Sequence, residues 1–140
     1  MDVNEGVRRR MLQAAKAGET IAYGQLMKEF RIPRGHPMPG VGIGEVVGTI
    51  SEHEYAEGRP LLSSIVVRAG SATRLCPKGC PGGGFFGLSG VPRKLQRRKS
   101  EWGVPSLSVE EQEFVNQEQE RVWRYWGKRA RGRARAASDL

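Results

Sequence analysis

Three small groups of residues have the types and spacing to do chemistry. Cys76 and Cys80 stand four apart in the loop sequence CPKGCPGGG. A closed structural zinc site takes four ligands; this pair supplies two, and His36 and His53 are the only histidines that could complete it. A surface thiol pair in a reducing compartment, close enough to oxidise to a disulfide, explains the spacing without a metal. Cys76 and Cys80 therefore stand as metal candidates only, and no cofactor is expected. Ser63 and Ser64 sit together in the apolar run Leu61–Val67. A serine nucleophile needs a base that is itself oriented by a third group. His53 between Glu52 and Glu54 is the one available combination, and nothing in its spacing from Ser64 requires it. The third group, PGGGFF, lacks the Gly-Lys-Ser/Thr ending that makes a glycine run cradle phosphate. It reads as the flexible wing of a hairpin, anchored by Phe85 and Phe86. The two aspartates, Asp2 and Asp139, lie at opposite ends, which disfavours a metal-dependent nuclease. These residues predict a binding protein, not an enzyme.

The elements that must position them follow from periodicity. Val7, Met11 and Ala14/Ala15 recur at helical spacing within residues 4–17, before the stop Ala17–Gly18. Residues 20–23 read as an extended link and residues 25–30 as a second short helix. Residues 31–40, with three prolines and two glycines, must be a loop. A third helix is predicted over residues 41–55, with Val46, Val47 and Ile50 on its apolar face. Gly44 and Gly48 share another face. They serve either close packing against the first helix or a ligand groove shared with Ser63 and Ser64. Leu61–Arg68 then reads as a strand covered on both sides, and Phe85–Leu88 as its hairpin partner. Residues 91–105 form a basic connector. Ser108 with Glu111 three later is a capping-box pattern that opens the last helix, which is predicted to end at Gly127.

Three short helices, a β-hairpin and a C-terminal helix give an α+β, winged-helix-like domain over residues 1–126. Residues 127–140, KRARGRARAASDL after the glycine, form a basic tail expected to be disordered.

Charge points to the partner. The chain of 140 residues carries a formal +8, and half of it falls in the last thirteen residues. Most of the rest concentrates at Arg8–Arg10 and Arg93–Lys99. Clusters of this kind suit phosphate-rich partners. The third helix, however, contains Glu45, Glu52 and Glu54 and no Lys or Arg, which does not suit a helix in the major groove. Contacts are therefore expected from Arg8, Arg9, Arg10, Arg31, Arg34, Arg68, Arg74, Lys78, Arg93, Lys94, Arg97, Arg98, Lys99, Arg129 and Arg131. Such contacts hold phosphates and read little sequence.

Two resemblances add to this. The run from IAYGQL through GIGEVVGTI to LLSSIVVR and GGGFFGL, residues 7–88, resembles in layout the winged-helix DNA-binding domain of alkyltransferase-like proteins and O6-alkylguanine-DNA alkyltransferases. The resemblance implies DNA binding. The transferases' nucleophilic cysteine motif falls near Ser63–Ser64–Ile65, where there is no Cys or His, so alkyl transfer is not expected. The arginine with which those families invade the duplex has no counterpart in residues 42–55. The motifs YGxL, GRPLLSxIVV and PGxGFF also resemble a family of small, functionally uncharacterised bacterial proteins, over residues 5–126; that resemblance names no reaction.

The expected function is DNA binding, mainly through phosphates and with low sequence specificity, the partner being duplex DNA. The alternative is a small-molecule-binding or protein-interaction module on the same fold, using the Gly44/Gly48 and Ser63/Ser64 groove, with a protein partner or a second copy of the chain. No membrane-spanning run or signal-peptide core is seen, and the cytoplasm is the default compartment.

Overall fold

The first helix begins where the Asn4 side chain accepts the Val7 N–H at 3.0 Å, satisfying one of the free donors at a helix start. The computed structural model describes residues 2–138, and side chains of residues 2–127. Helix α1 (Glu5–Lys16) buries Val7, Met11, Leu12, Ala14 and Ala15 and ends at Ala17, with Gly18 at φ +70°. Strand β1 (Ile21–Ala22) leads directly into α2 (Tyr23–Phe30). Helix α2 stops at Arg31, the one non-glycine residue with positive φ among those described, at +53°. The loop that follows closes through a 2.9 Å hydrogen bond from the Ile43 N–H to the Pro33 carbonyl. Helix α3 (Ile43–Ala56) then buries Val46, Val47, Ile50, Ser51 and Glu54.

The expected strand over Leu61–Arg68 is largely absent. Leu62–Ile65 is a 3-10 turn, and only Val66–Val67 is extended, as β2. Side chains explain why. The Leu61 N–H donates to Glu118 at 2.8 Å, the Ser63 N–H to the Ser51 hydroxyl at 2.7 Å, and the Ser64 carbonyl accepts from Gln119 at 2.9 Å. With these backbone groups satisfied by α3 and the last helix, no neighbouring strand is needed.

The expected hairpin is also overturned. Strand β2 pairs with β1, in parallel, with Ile21 opposite Val66 and Ala22 opposite Val67. The crossover between them passes through α2 and α3, as parallel pairing requires. Phe85–Leu88 is not a strand: Gly83–Gly87 forms a 3-10 turn, seated against Trp102. A Cβ on Gly83 would overlap the Trp102 carbonyl oxygen, and one on Gly87 would overlap the Trp102 indole. The glycine run is therefore a seat for a tryptophan, not a flexible wing.

The last helix, α4 (Val109–Ser138), opens with the expected capping box. The Glu111 N–H donates to Ser108 Oγ at 3.1 Å and the Ser108 N–H donates to the Glu111 carboxylate at 2.8 Å. The helix continues through Gly127, where a stop was expected. The side chains of the basic tail, Arg129 and Arg131 included, lie outside those described.

Two apolar clusters result. One joins α1, β1, α2, α3, the Leu62–Ile65 turn and Val122 of α4; the other gathers Leu61, Cys76, Cys80, Phe85, Phe86, Leu88, Val91 and Val115. The chain thus mixes four helices with a two-stranded parallel sheet among the described residues. No helix in that set is long and apolar enough to cross a membrane.

Candidate functional site

A cavity of about 970 Å³ opens between α3, the Gly83–Gly87 turn, Trp102 and the loop ahead of α3. Its size falls within the range of small-molecule sites. The wall is unusual in how little side chain it carries: Gly42, Gly44 and Gly48 on one side face Gly82, Gly83, Gly84 and Gly87 on the other. A Cβ on Gly44 would meet nothing within 4 Å, and one on Gly48 would meet only the Leu88 side chain, at 3.7 Å. The expectation that these two glycines pack against the first helix is therefore corrected. They border open space, and Ser63 lies on the same cavity.

Aromatic and charged groups complete the lining. Tyr23, Phe85 and Trp102 supply flat apolar surface, and Arg34, Arg68 and Lys99 bring positive charge from three separate segments. The Tyr23 phenol oxygen accepts the Gly82 N–H at 3.1 Å. Burial raises its pKa, outweighing that hydrogen bond and the Arg68 charge, so the phenol stays neutral. Trp102 is fixed by its own indole N–H, which donates to the Arg97 carbonyl at 3.2 Å. The two acidic residues of the lining are already engaged. Glu52 accepts from the Ser89 N–H at 2.8 Å and the Ser89 hydroxyl at 2.5 Å, and Glu45 accepts from the Gly40 N–H.

The basic residues named from the sequence divide sharply. Arg8 ion-pairs with Glu54 at 2.6 Å and lies over the Trp126 ring, and Arg10 pairs with Glu29 at 3.0 Å. Arg97 is a structural hub: it pairs with Glu111 at 2.7 Å and donates to the carbonyls of Glu101, Val104 and Ser106. The connector it belongs to is thus folded onto α4. Lys78 donates to the Gly18 carbonyl and sits 5.2 Å over Trp123. Arg68 donates to the Pro105 carbonyl at 2.8 Å. By contrast Arg9, Arg31, Arg34, Arg74, Arg93, Lys94, Arg98 and Lys99 are exposed, and none forms a salt bridge within the described residues.

The other candidates are placed as follows. Ser64 is fully buried and its hydroxyl has no partner among the described residues, whereas His53 is exposed at the cavity edge, so the two do not form a nucleophile–base pair. Cys76 and Cys80 are buried, not at the surface as expected. Burial and the neighbouring Cys80 push the Cys76 thiol up to about 12, which keeps it protonated and unreactive near neutral pH. Its S–H donates to the Gln112 carbonyl at 3.5 Å. No group of three or more His, Cys, Asp or Glu among the described residues could hold a metal ion.

Sequence reading missed Tyr23 and Trp102 at this site, and Ser51, which is buried and bonded to Ser63 of the lining. The glycines of PGGGFFG carried a signal for Trp102, since a run without side chains needs something bulky laid against it. Ser51, a polar residue beside Ile50 on the buried side of α3, carried none that separates it from a surface serine. Comparison of the chain with protein-family models, with curated proteins and with solved structures finds no match.

Proposed function

We propose that this chain is a nucleic-acid-binding protein, not an enzyme, that holds phosphates along a basic rim and reads little sequence. The observation that carries the reading is the convergence of Arg34, Arg68 and Lys99, from three segments, around one ligand-sized cavity. Exposed Arg31, Arg93, Lys94 and Arg98 extend the available positive charge, and none is tied up in a salt bridge within the described residues. The layout resemblance to winged-helix DNA-binding domains supports the same reading through its helices alone, since the β1–β2 pair is parallel and largely buried and does not form a wing. Arg8 and Arg97 are clamped to buried carboxylates and Arg10 is paired with Glu29, so none of the three is assigned to the ligand.

The test is duplex-DNA binding by the full chain across a salt series. Affinity should fall steeply from low to moderate salt. Replacing Arg34 and Lys99 by Gln should lower the slope of log affinity against log salt by about one per lost phosphate contact. A full-length variant with Arg129, Arg131, Arg133 and Arg135 replaced by Gln separates the tail from the folded body. Undiminished binding by the rim variant together with complete loss in the tail variant would remove the reading.

A second reading is favoured by the cavity itself. A glycine-walled space with aromatic sides suits a small planar ligand, bound alone or as part of a larger partner. Gly44→Leu, which points a side chain into that space, should abolish such binding while the fold survives.

A further inference from the structure

The Ser51–Ser63 pair has one proton more than the protein uses. The Ser51 oxygen accepts the Ser63 N–H at 2.7 Å, and the two hydroxyls lie 2.6 Å apart. One hydroxyl proton lies between the two oxygens, and the other has no acceptor among the described residues. Two arrangements satisfy the geometry. If Ser63 donates to Ser51, the spare proton sits on Ser51, which is fully buried on α3. A buried donor left without an acceptor costs about 1–3 kcal/mol. If Ser51 donates to Ser63, the spare proton belongs to Ser63, which is only 3% exposed but lies on the cavity wall. The second arrangement avoids the penalty, because solvent or ligand in the cavity accepts the proton.

We propose that Ser63 is the specificity-determining donor of this cavity, held in register by Ser51, and that the bound group is planar and presents an uncharged hydrogen-bond acceptor to it, a carbonyl oxygen or a ring nitrogen. The inference rests on reading the cavity as a binding site. Charge on the ligand belongs at the rim, beside Arg34, Arg68 and Lys99. The lining that Ser63 shares also presents glycine backbone, Val47, Phe85 and Leu88, apolar surface against which an ion would be poorly solvated. A hydroxyl rather than a cation at that point selects a neutral acceptor. Gly44 and Gly48 line the same cavity, and a side chain on Gly44 would enter open space that a ligand would otherwise use.

The four deoxynucleoside 5′-monophosphates and phenyl phosphate serve as probes. All carry a ring and a phosphate, but the phenyl ring has no acceptor. Each is titrated into the isotope-labelled full chain while the Gly44 and Gly48 amide signals are followed. At least one nucleotide should move those signals and bind about tenfold more tightly than phenyl phosphate, the margin one well-placed hydrogen bond gives. Ser63→Ala should erase that margin and leave phenyl phosphate binding unchanged. Ser51→Ala, which keeps the Ser63 hydroxyl but removes the group that holds both it and the Ser63 N–H, should lose part of it. The inference is overturned if no nucleotide outperforms phenyl phosphate at those signals, or if the margin survives Ser63→Ala. Should Ser63→Ala not fold, an undiminished margin in Ser51→Ala overturns the positioning, and the wild-type comparison still decides the acceptor. Failure of the broader reading registers separately, as absent duplex-DNA binding in the salt series.

Discussion

Glu54 and the cavity rim lie on opposite sides of α3, and they treat arginine in opposite ways. On one side, fully buried Glu54 draws in Arg8 from α1 and Arg59 from the turn after α3, each about one-fifth exposed. On the other, Arg34 and Lys99 stand in solvent without an ion pair among the described residues. Arginines of the same charge, within one small protein, thus do different jobs. What decides between them is whether a carboxylate is buried within reach. Charge clustering in a sequence does not report that. Arg8, Arg9 and Arg10 are consecutive, yet Arg8 pairs with a buried acid, Arg10 with an exposed one, and Arg9 with none among the described residues.

Breaking the buried side should have the largest effect. Glu54→Ala leaves two arginines near the core without a partner and should cost about 3 kcal/mol, toward the low end for a broken buried pair because both guanidiniums can turn to water. Urea denaturation reads this directly; a loss below ~1 kcal/mol would put the two sides of α3 on an equal footing. The second effect is a pH dependence at the other buried clamp. Burial alone would raise the Glu111 pKa, but Arg97 and the Ser108 N–H and hydroxyl together hold it below the ordinary carboxylate value. A carboxylate with a depressed folded-state pKa adds stability above its unfolded value, and that stability disappears as pH falls through the folded one. Wild type should therefore lose stability on acidification below about pH 4.5, the ordinary carboxylate value, more steeply than Glu111→Gln does. Parallel curves for the two proteins would mean that the clamp adds nothing. The smallest effect belongs to the rim. Arg34→Gln and Lys99→Gln should each change stability by less than about 0.5 kcal/mol, as exposed substitutions usually do. A larger loss would show that the rim also holds the fold.

The parts of the fold that sequence makes legible are those whose partners are close in the chain. Ser108 and Glu111 announce a helix start from three residues apart, and the Val7/Met11/Ala14/Ala15 stripe marks the buried face of α1 by itself. The segment Leu61–Val67 misleads because its hydrogen-bond partners are far away: Ser51 before it, Glu118 and Gln119 after it. Local β-propensity in LLSSIVV is real, but distant side chains claim the backbone first. The same holds for the site. The four-residue spacing of Gly44 and Gly48 pointed to a bare helix face, and Ser63 was named beside it. What closes the far side of the cavity, a Trp102 arriving from more than fifty positions on, leaves no trace near Gly44 and Gly48 and shows only as the bare glycines of PGGGFFG.

The packing of α4 bears on how the protein is made. The Trp123 indole N–H donates to the Glu19 carbonyl across 104 positions, and Val122 joins the same apolar cluster as Val7 and Met11. A ribosome delivers α1 about a hundred residues before the part of α4 that packs against it. Helix α3 and the Leu62–Ile65 turn cover part of the α1 stripe earlier, but the rest stays open until α4 is made. Long-range closure of this kind is slow and leaves apolar surface exposed meanwhile.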